Sequence, residues 1–279
     1  MMFSNLANYF EKLEATPKRL EMIDILSKLF KESDALEIGK IVYLIQGRVA
    51  PFFEPIEMGM AEQTIALAIG RAFGKSKEEV IKLYKQKGNM GLAASELAAK
   101  LKTQNSKLKS GLSVAEVFKE LLTIANFKGD GTVEKRVSTL ATLLKDLDPI
   151  SVKHVSNIPL GTLRLGIGDP TVLDALSIAK TGNKGLRKEL EAAYNKTSDL
   201  GYIAEKFYRE GEKGIRAVHL VVGKPVRPAL AERMPNAEEA VKRLGDTFFA
   251  EPKFDGFRVA IHKNGDKVEI FSRNLEDMT

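Results

Sequence analysis

The sequence is organised around the stretch Glu251-Pro252-Lys253-Phe254-Asp255-Gly256-Phe257-Arg258. A lysine stands there between two strand-like apolar runs, residues 247–250 upstream and residues 257–262 downstream. Lysine becomes a nucleophile only when its ammonium loses a proton, which burial or neighbouring positive charge favours. The spacing Lys-x-Asp-Gly-x-Arg therefore offers a nucleophile, a carboxylate and a phosphate- or ribose-binding cation around one tight turn.

An ordinary β-hairpin is the alternative interpretation, because Asp-Gly between alternating apolar residues also favours a hairpin turn. On these residues alone the two interpretations have equal weight. The flanking segments favour the first one. A second hairpin signal, Asn264-Gly265, precedes the run of residues 268–274, and a proline-containing run lies upstream at residues 224–231.

Taken together, the three segments resemble the ATP-dependent DNA ligases of the archaeal and eukaryotic replicative type. Their nucleotidyl-transfer motif is similar to Lys253-Phe254-Asp255-Gly256-Phe257-Arg258, and their next motif is similar to Phe271-Ser272-Arg273-Asn274. The lead-in to their catalytic domain is similar to Pro228-Ala229-Leu230-Ala231. Three ordered motifs at plausible spacing make a specific signal.

The resemblance implies covalent chemistry at Lys253, with ATP and Mg²⁺ as cofactors, in DNA replication, repair and recombination. The lysine attacks the α-phosphate of ATP, which forms lysyl-AMP and releases pyrophosphate. AMP then passes to the 5′-phosphate at a nick in duplex DNA, and the adjacent 3′-hydroxyl displaces it. The resemblance places Glu251 beside the adenine, Arg258 beside the ribose and Arg273 at the nucleotide or the nick. Asp255 would organise the turn.

Composition agrees with a basic protein that binds a polyanion. The chain has 279 residues, enough for one large or two ordinary domains, and a net charge of +6. It has no cysteine, which excludes disulfides, and its three histidines are scattered, so no transition-metal site is predicted. No signal sequence or membrane span is predicted, and we expect a cytoplasmic, nucleoid-associated location.

Helical periodicity extends from residue 3 to about residue 209. Composition changes at the charged, glycine-flanked residues 211–214, after which residues 215–222 are rich in β-branched residues, so that His219 is expected in a strand. We therefore predict a multidomain fold. An all-α, pseudo-two-fold DNA-binding domain, residues 1–212, precedes a truncated α+β nucleotidyltransferase (adenylation) domain, residues 213–279. Predicted helix N-caps are Thr16, Ser76, Ser113 and Asn236.

The pseudo-two-fold prediction rests on an internal repeat. Residues 59–65 resemble residues 166–172, at an offset of 107, and residues 89–91 resemble residues 199–201, at an offset of 110. Chance similarity between alanine-rich helical segments is the alternative. Two copies are too few for a solenoid but suit a two-fold helical domain.

A two-fold helical domain matches duplex DNA, because a dyad relates the two antiparallel strands. Helix starts that open with glycine can present backbone N–H groups to phosphates. In the alternative, these glycines only end helices and turn loops. The predicted DNA-binding residues are Arg48, Gly91, Gly129, Gly131, Lys135, Arg164 and Gly166.

Two regions depart from the family pattern. Archaeal relatives can carry a sliding-clamp-binding peptide near residues 102–108, but only Gln104 and Ser106 are present here and the aromatic anchors are not. A sliding clamp is therefore a candidate partner whose motif is degenerate. The second departure is Asn89, which stands where an aspartate is expected.

The end of the chain at Thr279 follows directly on the motif that contains Arg273. The resemblance therefore leads us to expect a truncated product or one piece of a split ligase, whose remaining catalytic part is supplied in cis or in trans. We expect such a chain to bind nicked DNA and not to seal it alone. The alternatives are a DNA-binding scaffold with a vestigial Lys253, and a lysine nucleotidyltransferase that acts on RNA.

Overall fold

The computed structural model describes residues 1–104, 111–228 and 232–279, and only the backbone of residues 102–104. Most of this part of the chain is helical, and a small antiparallel sheet lies near its C-terminal end, in the predicted order. The helices are α1 (Phe3–Glu14), α2 (Arg19–Glu32), α3 (Ile38–Ile45), α4 (Glu62–Phe73), α5 (Lys77–Lys87), α6 (Met90–Gln104), α7 (Val114–Asn126), α8 (Thr132–Lys145), α9 (Pro149–Asn157), α10 (Asp169–Thr181), α11 (Arg187–Thr197), α12 (Leu200–Arg216) and α13 (Ala237–Leu244). The strands are β1 (Val259–Asn264) and β2 (Lys267–Ser272).

Local side-chain chemistry sets several helix starts where the sequence predicts them. Ser76 and Ser113 form capping boxes with the glutamates three residues later, and Asn236 accepts a hydrogen bond from the N–H of Glu239. The prediction for Thr16 is wrong by two residues, because Lys18 occupies the N-cap position of α2. Thr16 instead accepts a hydrogen bond from the Lys18 N–H outside the helix.

The packing of α1–α12 repeats after six helices. We call α1–α6 the first half and α7–α12 the second half. Helices α2 and α3 pack against α10 and α12, and their counterparts α8 and α9 pack against α4 and α6. The second and third helices of each half therefore lie against the last three helices of the other half, whereas α1 packs against α2, α7 and α9, and α7 packs against α1, α3 and α8.

Matching side chains support the same correspondence. Tyr84 of α5 donates a hydrogen bond to Glu62 of α4 at 2.8 Å. Tyr194 of α11 donates one to Asp169 of α10 at 2.7 Å. The donors stand 110 positions apart and the acceptors 107 positions apart, as in the sequence repeat.

An ionic cluster around the buried His154 joins α1 to α9. Lys153 reaches Glu14 at 2.7 Å and also pairs with Glu11, which lies 2.6 Å from Nε2 of the fully buried His154. The two glutamates and the histidine could by themselves hold a metal ion, but the Lys153 ammonium already pairs with both carboxylates. Burial lowers the pKa of His154 below 6.5, and this outweighs the opposing effect of Glu14 and Glu11.

This cluster predicts a loss of stability in mild acid. Below pH 6.5 the unfolded chain protonates His154 while the folded chain resists, so the free energy of unfolding falls as the pH drops from 7.5 to 5.5. The slope from this one group cannot exceed about 1.4 kcal/mol per pH unit. Thermal melts of the wild type and His154→Gln across this range measure it. Equal slopes in the two proteins would contradict the assignment.

The boundary predicted near residues 211–214 falls inside α12. Gly211 leaves the helical conformation there (φ 64°, ψ −151°), and the helix then continues to Arg216. The division at residue 212 stays a prediction. The strand predicted around His219 is wrong, because residues 217–224 form turns, a bend and irregular backbone, and the described residues include no strand there. Side chains of the second half hold this segment instead, since Lys196 donates a hydrogen bond to the Val218 carbonyl at 2.9 Å.

Strands form in only one of the predicted places. β1 and β2 pair from Val259 with Ser272 to Asn264 with Lys267, which confirms the hairpin predicted at Asn264-Gly265. The strand predicted at residues 247–250 is wrong, and the downstream strand begins at residue 259 rather than 257. A strand needs a ladder partner for its N–H and C=O groups, and within the described chain residues 245–258 have none. The Asp255-Gly256 turn therefore closes no hairpin.

None of the described helices is long and apolar enough to span a membrane.

Candidate functional site

The first candidate surface is a cleft of about 580 Å³ between two loops that follow corresponding helices. One loop follows α3 and contributes Gly47, Arg48 and Gly59, and the other follows α9 and contributes Gly161 and Leu163. The Met60 N–H donates a hydrogen bond to the Pro159 carbonyl at 3.3 Å, which ties the two loops together. The fold thus brings predicted residues of the first half beside the loop that leads to Arg164.

Arg48 is held in place within this cleft. Its guanidinium carbon lies 3.4 Å from the centroid of the Phe52 ring, in a cation–π contact. Burial lowers the pKa of Arg48, against a smaller opposing effect of Glu57. A partly desolvated guanidinium gains strongly from an anion placed against it, and phosphate is the anion whose geometry it matches.

The loop before α10 presents the other predicted pair. Arg164 is exposed, whereas the neighbouring Leu165 is buried and anchors the loop. Gly166 has a φ of 67°, a conformation that L side chains rarely adopt, and a Cβ there would lie 3.3 Å from the Met22 side chain. Backbone and arginine are therefore both accessible at this helix start.

Gly59 occupies the corresponding position before α4, with a φ of 47°. Arg136 of α8 lies beside it, since a Cβ on Gly59 would stand 4.0 Å from the guanidinium. Its Nε is buried and has no hydrogen-bond partner in the described part of the chain. Arg136 was not predicted as a DNA-binding residue from the sequence, although the adjacent Lys135, also near the start of α8, was.

The start of α8 follows two glycines, and the phosphate contact expected there stays a prediction. Gly129 and Gly131 have φ values of 80° and 72°, and no side chain caps the helix start at Gly131. Lys135 is exposed and makes no ion pair with any described residue. The free N–H groups and the lysine therefore point to the same kind of ligand, an anion.

Gly91 lies elsewhere, in the contact between α6 and α9. It is buried, its N–H donates a hydrogen bond to Asn157 at 3.0 Å, and a Cβ would come within 2.2 Å of the Lys153 carbonyl oxygen. Asn89, beside it, accepts a hydrogen bond from Asn157 at 3.2 Å. Packing accounts for Gly91, and it is not part of the DNA surface proposed below.

The segment around Lys253 is open to solvent. Glu251, Lys253, Asp255 and Arg258 are all exposed, and among the described residues no hydrogen bond or ion pair involves the side chains of Glu251, Lys253 or Arg258. Asp255 accepts a hydrogen bond from the N–H of the following glycine at 3.1 Å. The carboxylate thus organises the local turn, and the lysine remains free to approach a ligand.

The hairpin brings two predicted cations to one end. Val259 pairs with Ser272, so that Arg258 and Arg273 lie one residue beyond this terminal pair. Ser272 accepts hydrogen bonds through Oγ from the N–H groups of Asn274 at 3.2 Å and Glu276 at 3.1 Å. The resulting turn holds Arg273 exposed at the open end of the hairpin.

Two family models match successive parts of this chain. A family model described as "DNA ligase N terminus" matches residues 2–177, and one described as "ATP dependent DNA ligase domain" matches residues 228–279. The chain is 49% identical over 279 residues to a "Probable DNA ligase" of Dictyoglomus turgidum and 41% identical over 279 residues to a "DNA ligase" of Nitrosopumilus maritimus. It is 41% identical over 283 residues to "DNA ligase 2" of Thermofilum pendens.

These alignments cover 99–100% of this chain and 47% of each relative, so the chain spans about half the length of the curated relatives it matches. The first family model alone matches more than half of the chain. The chain therefore belongs to the ATP-dependent DNA ligase family.

Proposed function

We propose that this chain serves the ATP-dependent sealing of nicks in duplex DNA, with a helical part that grips DNA and a lysine that accepts AMP. The observation that carries the proposal is the order of the two family matches, with Lys253 and its motif inside the second. We assign residues 1–212 to the DNA-binding domain and residues 213–279 to the beginning of an α+β adenylation domain.

The DNA surface consists of helix starts and loops that recur in the two halves. Arg48, Gly59 and Arg136 line one part of this surface, and Arg164 and Gly166 line the other. The start of α8, which no side chain caps, lies a few residues before Arg136 in the sequence. Because antiparallel strands are related by a dyad, repeated phosphate-binding elements can engage one strand each. Such contacts fix the position of the protein without reading base sequence.

The chemistry is a nucleophilic substitution at phosphorus. The Lys253 amine forms a bond to the α-phosphorus of ATP while the bond to pyrophosphate breaks, and the amine proton passes to solvent. Arg258 and Arg273 neutralise charge on the transferred group. Glu251 would accept a hydrogen bond from the adenine amino group. The residues fit Mg²⁺ as a nucleotide-bound ion, because Mg²⁺ usually takes substrate phosphates and only one or two carboxylates, and Asp255 offers an exposed carboxylate near Lys253.

Binding of nicked duplex DNA tests the first part of the proposal. Fluorescence anisotropy at several salt concentrations is expected to give a steep slope of log affinity on log salt, about −0.9 per phosphate contact. Arg48→Ala and Arg164→Ala are each expected to weaken binding about 10-fold and to reduce the slope by about one. Lys28→Ala is the control, since it removes the same charge from a residue already paired with Asp24. Equal losses in all three variants would contradict a specific surface.

The alternatives predict other results. An RNA-directed nucleotidyltransferase would prefer a nicked RNA duplex over the same DNA duplex in the competition form of this assay. A scaffold with a vestigial lysine would bind DNA and never take label from ATP. The sliding-clamp prediction concerns residues 102–108, which lie outside the residues described with side chains, so clamp binding stays a prediction, as does the cytoplasmic location.

A further inference from the structure

We propose that Phe53 is a positioning residue for the proposed ligation reaction. It holds the turn that exposes Arg273 in a fixed position relative to the loop that carries Arg48. The inference rests on the proposed function and adds to it a physical link between the DNA surface and the nucleotide site. Residues from distant parts of the chain form this link.

A small apolar cluster, separate from the main core, lies between the loop after α3 and the hairpin. Its buried members are Phe53, Phe271 and Leu275, with exposures of 6%, 3% and 7%. The Phe53 and Phe271 rings meet edge to face, with centroids 6.4 Å apart and an interplanar angle of 87°. Aromatic pairs prefer this arrangement, and it fixes orientation as well as distance.

Leu275 shows that the turn depends on this cluster. Its φ of 68° lies in the left-handed region, which non-glycine residues seldom adopt. Such a conformation persists where the surroundings hold it. Burial of the Leu275 side chain beside Phe53 provides that hold, and the turn between Ser272 and Leu275 is the one that exposes Arg273.

A second contact restrains the position of the hairpin through its other strand, β1. His262 of β1 accepts a hydrogen bond through Nδ1 from the Gly223 N–H at 2.9 Å, and its ring meets Phe271 at 5.1 Å. This contact ties β1 to the segment after α12. Phe53 supplies the apolar contact from the first half.

The loop that carries Phe53 also carries the candidate phosphate contact. Phe52 lies under the Arg48 guanidinium, and Phe53 packs into the hairpin cluster. Adjacent aromatic residues therefore serve two different sites. A DNA backbone held at Arg48 keeps a fixed separation from Arg273 as long as Phe53 stays in its cluster.

Distance measurements on this cysteine-free chain test the proposal. A spin label at Asn274→Cys, paired with a second label at Lys85→Cys on the exposed face of α5, gives the hairpin-to-helix distance distribution. A label on the nicked duplex gives the hairpin-to-DNA distribution. Phe53→Ala is expected to broaden both distance distributions at least two-fold and to change DNA affinity less than two-fold. Phe53→Leu keeps an apolar side chain in the cluster, so its distributions are expected to be nearly as narrow as those of the wild type.

Phe52→Ala is the matched control, with the opposite result. It removes an aromatic ring from the same loop, so we expect unchanged widths and DNA affinity weakened about 3-fold through loss of the contact with Arg48. Unchanged widths in Phe53→Ala would overturn the proposal. If the chain fails to bind DNA, the proposed function fails, and the labels at residues 85 and 274 still decide whether Phe53 anchors the hairpin.

Discussion

Replacing Lys253 with alanine is expected to abolish the covalent label that the chain takes from α-labelled ATP and Mg²⁺. The amine is the only group in the stretch of residues 251–258 that can form a phosphoramidate, and the exposed side chain is free to reach a bound nucleotide. We expect a decrease of at least about 100-fold, read after denaturing separation. The label should be labile in acid, as a phosphoramidate is.

Two further variants separate nucleophilicity from charge. Lys253→Arg keeps a cation but cannot lose its proton at neutral pH, so it should also remain unlabelled. Lys263→Ala removes a lysine from the adjacent strand β1 and should be labelled like the wild type. A wild-type chain that binds DNA but takes no label would restrict this chain to DNA binding. Label that persists in Lys253→Ala would place the nucleophile elsewhere.

Replacing Gly91 with alanine is expected to destabilise the helical part by about 3 kcal/mol or more. The added Cβ would stand 2.2 Å from the Lys153 carbonyl oxygen and 2.7 Å from the Asn157 side chain, so α6 and α9 must move apart. The shift also strains the hydrogen bond from the Gly91 N–H to Asn157. For a chain of this size we expect a fall in melting temperature of about 6 °C or more.

Gly88→Ala is the matched control for this substitution. Gly88 ends α5 with a φ of 71°, and a Cβ there would meet no atom within 4 Å. Gly88→Ala is therefore expected to lower the free energy of unfolding by about 1 kcal/mol, through the strain of a left-handed backbone at alanine alone. Circular-dichroism melts of both variants make the comparison, and a Gly91→Ala protein as stable as Gly88→Ala would contradict the packing argument.

Features set by local chemistry were predictable from the sequence. The capping boxes at Ser76 and Ser113 depend on residues three positions apart, and the Asn264-Gly265 turn depends on two neighbours. The similarity of residues 59–65 to residues 166–172 indicated the repeated packing, because the corresponding helices α4 and α10 begin with similar residues.

Features that depend on contacts between distant residues were not predictable. The run at residues 247–250 has strand-like composition, but composition supplies no ladder partner. Gly91 looked like a helix-start glycine, and only the position of α9 shows that it is a packing glycine. Phe53 and Arg136 carried no motif, since their roles arise where the hairpin and Gly59 come to lie against them.

The exchange of helices between the two halves has an evolutionary consequence. Since α2 and α3 pack against α10 and α12, and α8 and α9 pack against α4 and α6, the two halves share one core, and each half supplies much of the packing surface of the other. A duplicated six-helix chain would make the same contacts as a domain-swapped homodimer. Fusion of the two subunits would then convert an obligate dimer into one chain. Two separated halves of this protein should accordingly complement each other and fold only as a pair.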